Sequence, residues 1–142
     1  MIPPTLTAKS LVVGQAVPVL ERAWPLPRLV AYAGATWDWH PLHYDAAYVA
    51  ARRLRAAVVD GQAFGAILAE ALLDWLGPRA VIRRLGFRLK SMMFAGETLA
   101  CAGEVTALTA EGDHDVVTVA QHIMVGDRLV VHPATAEVVL PR

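Results

Sequence analysis

The sequence predicts an α+β domain, an antiparallel sheet curled around one long apolar helix. Three observations predict it. The helix-length stretch Gln62–Leu76 carries only Gln62, Glu70 and Asp74 as strongly polar residues. Gly77-Pro78 ends that stretch firmly. The rest of the chain then runs as apolar-rich segments separated by turn signals, the pattern of consecutive antiparallel strands. A single domain, residues 1–142, fits this length.

The elements follow in chain order. Residues 1–26 read as irregular, with a short strand near Leu11–Val13. Leu26-Pro27 opens a helix over Arg28–Ala35, because proline suits the first turn. That helix leads into the loop Asp38–Asp45. Asp45 is a good N-cap for the alanine-rich stretch Ala46–Leu54. Asp60 is the N-cap expected for Gln62–Leu76. The three polar residues of that helix fall within about a third of its circumference at 3.6 residues per turn. A helix apolar on most other sides must be wrapped by something.

The wrapping comes from the strands. Val81, Leu85, Phe87, Leu89 and Met93 alternate with Arg84, Arg88 and Lys90, a half-buried strand with one wet face. Turns at Ala95-Gly96-Glu97, Glu111-Gly112-Asp113 and Gly126-Asp127-Arg128 then set off strands over Thr98–Leu108, Asp115–Val125 and Leu129–Leu140. This arrangement is the hot-dog fold.

Composition narrows the functional classes. The chain is 56% hydrophobic and only 18% charged, an apolar excess that points to a covered partner surface. A homodimer, or a larger assembly of dimers, covers it most simply. Zero net charge leaves no electrostatic footprint for nucleic acid. Cys101 is the sole cysteine, so no internal disulfide forms, and it reads as a buried core thiol. Met1-Ile2-Pro3-Pro4 lacks the charge and apolar core of a signal peptide. No apolar run reaches the roughly 18 residues of a membrane span. A soluble cytoplasmic protein is expected. His114, His122 and His132 lack metal-site spacing, so neither metal nor cofactor is expected.

The chemistry concentrates in Asp38-Trp39-His40-Pro41-Leu42-His43-Tyr44-Asp45. Pro41 cannot sit inside a helix and pushes His40 toward an extended conformation. Asp38 and His43 are therefore not neighbours on one helical face. They lie on a loop that can fold back and aim both side chains at one point. An acid–imidazole pair of this kind can move two protons in one reaction. Taken alone, such a pair can equally satisfy a turn.

This stretch resembles the hallmark of the MaoC-like hydratases and dehydratases, which include the (R)-specific enoyl-CoA hydratases. The hallmark runs Asp-x-Asn-Pro-[Leu/Ile]-His-x-Asp, and five of its six defined positions match. The apolar pair and His-Gly that follow in the family correspond to Val58-Val59-Asp60-Gly61. The likeness extends through Leu85-Gly86-Phe87-Arg88-Leu89, Gly96-Glu97-Thr98 and Gly103-Glu104-Val105-Thr106-Ala107-Leu108. The stretch from Asp74-Trp75-Leu76-Gly77-Pro78 through Arg88-Leu89 also resembles MaoC-type subunits of bacterial steroid side-chain breakdown.

The resemblance implies reversible addition of water to a trans-2-enoyl thioester, carried by coenzyme A or a carrier protein. It places Asp38 and His43 at the catalytic positions. Backbone N–H groups at a helix start carry partial positive charge. The Gly61 N–H, alone or with that of Gln62, is accordingly expected to bind the thioester oxygen. His40 stands where the family has asparagine; it can hold the loop by hydrogen bonding or titrate with His43. Asp60 stands where the family has histidine; it can cap the helix or face the acyl oxygen, and the cap is favoured. Trp37 and Trp39 flank Asp38 and either shape the acyl pocket or pack on the helix. Arg52, Arg53 and Arg55 offer cations for coenzyme A phosphates, or form a solvated helix face.

Two competing readings remain. One is a non-catalytic or half-catalytic partner subunit beside a related MaoC-like chain. The other is a hot-dog thioesterase, for which Glu70 and Asp74 are the available acids, both far along the helix from Gly61.

Overall fold

A computed structural model describes residues 6–142 of the chain. The terminus Met1-Ile2-Pro3-Pro4 lies outside the described residues. The elements are β1 (Ala16–Ala23), α1 (Leu26–Thr36), α2 (Ala46–Ala51), α3 (Gly61–Leu76), β2 (Val81–Leu89), β3 (Thr98–Glu111), β4 (His114–Val125) and β5 (Arg128–Pro141). The strands form one five-stranded sheet in the order β1-β3-β4-β5-β2. Every neighbouring pair is antiparallel.

Helix α3 begins and ends as its sequence dictates. The Asp60 carboxylate accepts the Gln62 N–H at 2.8 Å, satisfying one of the donors a helix start leaves free. Gly77 ends the helix at φ +94°, a backbone conformation that side chains resist, and its N–H reaches the Leu73 carbonyl at 2.9 Å.

One face of α3 packs against the sheet. Phe64, Ile67, Leu68 and Ala71 pack among Met93, Leu99, Cys101, Ile123 and Val131. Further along, Leu72 and Leu76 pack among Val105, Val117, Val119, Val138 and Leu140. Burying each large side chain stabilises the fold by about 1.5–3 kcal/mol. The opposite stripe, Ala66, Leu73 and Asp74, is exposed. The wrap expected from sequence therefore closes over one side of the rod within a single chain.

Gly103 shows how tightly the sheet is built. A Cβ there would lie 2.4 Å from the Ala120 carbonyl oxygen. Backbone cannot step aside as a flexible side chain can.

Four differences from expectation stand out, beyond shifts of one to three residues at other element ends. The strand expected near Leu11–Val13 is a turn: the Gln15 side chain accepts the Val12 N–H at 3.0 Å, and Gly14 turns the chain at φ +86°. The first strand is β1, inside a stretch read as irregular. It is an edge strand containing Pro18, with its register broken between Val17 and Leu20. Proline and an irregular register erase the alternation that marks a strand. The helix expected over Ala46–Leu54 stops at Ala51, because Arg53 takes φ +58°. Strand β2 ends at Leu89, and Met93 lies in the following loop, fully buried, its carbonyl accepting the Val59 N–H at 2.8 Å.

Candidate active site

The loop after α1 is built to return on itself. Trp37 closes the helix in the left-handed region at φ +59°. The Asp38 N–H still bonds back to the Ala33 carbonyl at 3.0 Å, which fixes where the carboxylate starts. One Asp38 oxygen accepts the His40 N–H at 3.2 Å. His40 Nδ1 then accepts the Leu42 N–H at 3.1 Å and caps the short 3-10 turn Pro41–His43. His40 thus performs the hydrogen-bonding task of an amide at this position. Pro41 opens that turn, where its missing N–H costs nothing.

His43 ends the turn, and its ring is held from outside the loop. Its Nδ1 lies 2.7 Å from the Val58 carbonyl oxygen. A carbonyl only accepts, so Nδ1 carries a hydrogen, and in the neutral ring Nε2 is the acceptor. The Val58 N–H bonds the Leu42 carbonyl at 3.0 Å, tying the same two segments together again. A neutral imidazole with a fixed tautomer and a free Nε2 is suited to take a proton from water.

Three side chains converge here. A carboxylate oxygen of Asp38, one of Asp60 and a ring nitrogen of His43 all lie within 4.8 Å of one another. Sequence reasoning brought Asp38 and His43 together; it assigned Asp60 to the helix cap. Asp60 does both. Two residues before it, Val58 is bonded to Leu42 and to His43, and this carries Asp60 to the pair. The same three residues are the described residues close enough to share a cation. Asp60 and His43 each already spend one atom, on the Gln62 N–H and the Val58 carbonyl.

Hollows flank His43 on two sides. A narrow cleft is lined by Trp24, Leu29, Tyr32, Ala33, His43 and Asp60. A wider hollow of about 430 Å³ is lined in part by Leu42, His43, Val58, Gly61, Leu89 and Met93. Trp24 and Tyr32 also wall a groove of about 460 Å³ between α1 and α3, over Ala63, Ala66 and Ile67. Glu70 lines that groove too, paired with Arg22.

Tyr32 and Trp24 are residues the sequence did not single out. Tyr32 shares a helical face with Leu29 and Ala33, a spacing that was legible once α1 was drawn. Burial pushes the Tyr32 phenol above its usual range, and the charges of Asp60 and then Asp38 push it further. It therefore stays protonated and able to donate. Trp24 is 5% exposed, and its indole N–H has no partner among the described residues.

The remaining predicted residues are scattered around this centre. Gly61 begins α3 beside Asp60, and a Cβ there would lie 2.9 Å from the Leu89 Cδ1. The Gln62 N–H is already given to Asp60. Trp39 packs edge-on to Tyr44 and over Gly34, and Trp37 is 81% exposed. The three arginines do not converge. Arg52 stacks on the Tyr48 ring at 4.4 Å. Arg55 lies over Phe94 and pairs with Glu97. Arg53 is exposed on its own turn. His114 bonds Asp113 at 3.0 Å, away from the centre. No helix among the described residues is long and apolar enough to cross a membrane.

The chain has the hot-dog fold, with an acid and an imidazole meeting beside the start of its central helix. Residues 13–126 match the MaoC like domain, and the chain belongs to that family. It is 31% identical over 97 residues to the 3-oxo-4,17-pregnadiene-20-carboxyl-CoA hydratase beta subunit of Mycobacterium tuberculosis, covering 68% of this chain and 75% of that one. It is 29% identical over 106 residues to the (R)-specific enoyl-CoA hydratase of Aeromonas caviae, covering 72% and 77%. The solved (R)-hydratase of A. caviae superposes with a TM-score of 0.85 at 28% identity, over 94% of this chain and all of that one. The ChsH1-ChsH2 complex of M. tuberculosis contains a chain that superposes with a TM-score of 0.80 at 28% identity, over 92% and 98%.

Proposed function

We propose that this protein adds water reversibly to a trans-2-enoyl thioester, giving a 3-hydroxyacyl thioester. The observation that carries the reading is the convergence of Asp38 and His43 beside the first turn of α3. His43 Nε2 takes a proton from water while Asp38 holds and polarises that water. Positioned proton transfer of this kind is worth about 10²–10⁴ in rate.

The thioester carbonyl is set against the Gly61 N–H. The first N–H of a helix has no partner inside the helix. The Gln62 N–H is committed to Asp60, so the contact falls to Gly61 alone. One donor aimed at developing oxyanion charge is worth about 10²–10³ in rate. The acyl group extends into the groove between α1 and α3. The pantetheine arm leaves through the hollow lined by Gly61, Leu89 and Lys90. Lys90 lines that hollow and supplies a cation for its phosphates.

The test is to incubate the purified protein with short- and medium-chain trans-2-enoyl-CoA and follow the conjugated thioester absorbance. Loss of absorbance without free thiol is the expected result. Release of free thiol would instead identify a thioesterase. Glu70, one of the two acids available for that chemistry, is engaged with Arg22.

A second reading is favoured by the likeness to a hydratase beta subunit and to a chain of a two-protein complex. Here the protein works beside a related MaoC-like partner. A chain silent alone that gains activity on mixing with such a partner would support it. A homodimer, or a dimer of dimers, is the assembly proposed for the leading reading.

A further inference from the structure

We infer that Asp60 is a further catalytic residue, the carrier that passes the proton taken from water on to C2 of the substrate. This rests on the hydratase reading above. Only one Asp60 oxygen is needed for the cap, where Oδ1 accepts the Gln62 N–H at 2.8 Å. Asp60 nevertheless stands within the 4.8 Å cluster with Asp38 and His43 and lines the cleft that His43 enters. Tyr32 lines the same cleft beside Asp60 and His43. Trp24 walls the same cleft and carries a buried N–H without a partner among the described residues.

The chemistry explains why an acid is tolerated beside Gly61. A fixed negative charge there opposes the enolate charge that must develop at the Gly61 N–H. A carboxylate that picks up a proton during the attack becomes neutral as that charge appears. The water oxygen forms its bond to C3, and the C2=C3 electron pair moves toward the thioester oxygen. The water proton passes to His43 Nε2 and then to the free oxygen of Asp60. When the enolate collapses, C2 takes that proton from Asp60. The product gains one H and one OH, and all three side chains return to their starting states. The cap bond fixes the carboxylate plane while the other oxygen handles the proton.

Variants that keep the cap separate this role from a structural one. Serine and asparagine cap helices about as well as aspartate, whereas alanine does not. Asp60→Ser, Asp60→Asn and Asp60→Ala are assayed beside wild type on trans-2-enoyl-CoA, with a thermal melt of each. The expected result is a kcat lower by about 10² or more in all three. KM stays near wild type, and the melting midpoint falls only in Asp60→Ala. Near-wild-type kcat in Asp60→Ser or Asp60→Asn overturns the inference and leaves the hydratase reading standing. A wild-type protein that hydrates no enoyl thioester overturns that reading, and this inference with it.

Discussion

The Nδ1 of His43 lies 2.7 Å from the backbone carbonyl of Val58, fifteen residues away in the chain. That bond gives a loop histidine a defined tautomer. It ties the segment before α3 to the loop after α1, and so holds the Asp38–His43 pair beside the start of the helix. Because the acceptor is backbone, the orientation of the ring depends on where residues 57–59 run. Ala57, Val58 and Val59 are all buried, and their path is pinned by the Val59 N–H bond to Met93 at 2.8 Å.

His40 is predicted to act through the loop. Its Nδ1 caps the 3-10 turn that presents His43. His40→Asn keeps an acceptor at this place and should retain most activity. His40→Ala should lower stability by about 1 kcal/mol, the usual cost of a lost cap. Paired melts and rates check this; an inactive but fully stable His40→Asn would mean that the imidazole itself takes part in the reaction.

Glu97 makes a prediction about acid. Burial pushes its carboxyl up, but the Phe94 N–H at 2.8 Å, Arg128 at 2.7 Å and Arg55 outweigh burial and hold it below the ordinary value of 4.5. A carboxyl held low in the folded state stabilises the fold above its unfolded value. That contribution disappears as pH falls below about 4.5 toward the folded value. Glu97→Gln should cost about 1–3 kcal/mol at neutral pH. Urea melts at pH 7 and pH 4 should show the difference between variant and wild type shrinking in acid.

Gly103 should tolerate no side chain. A Cβ would sit 2.4 Å from the Ala120 carbonyl, so Gly103→Ala must spread β3 from β4. The expected cost is about 1–3 kcal/mol, the range for overpacking a filled interior. Gly61→Ala meets only the tip of a flexible Leu89 side chain, so its melting midpoint should stay close to wild type. A thermal comparison of the two variants reads this contrast directly.

Much of this architecture is legible in the residues themselves. Helix α3 announces itself through Asp60, its apolar run and Gly77-Pro78, and glycine turns mark off β3, β4 and β5. Such signals are local, written by the residues that adopt the structure. Strand β1 was not legible, because Pro18 and an irregular register remove the alternation on which a strand is recognised. At the site, the spacing of Asp38 and His43 around Pro41 exposed the pair. The contributions of Val58, Tyr32 and Trp24 depend on tertiary approach. A backbone carbonyl carries no sequence signature, and an indole N–H is unusual only once the fold buries it without an acceptor among the described residues. Asp60 was read for one of its two oxygens; the other acquires meaning from the return of the loop.

The most direct measurement is the rate of enoyl-CoA hydration by Asp38→Asn and His43→Gln beside wild type, each shown by circular dichroism and melting to be folded. Both variants should lose about 10² or more of the wild-type rate. A folded variant of either kind that hydrates at the wild-type rate would contradict the placement of the reacting water between these two side chains.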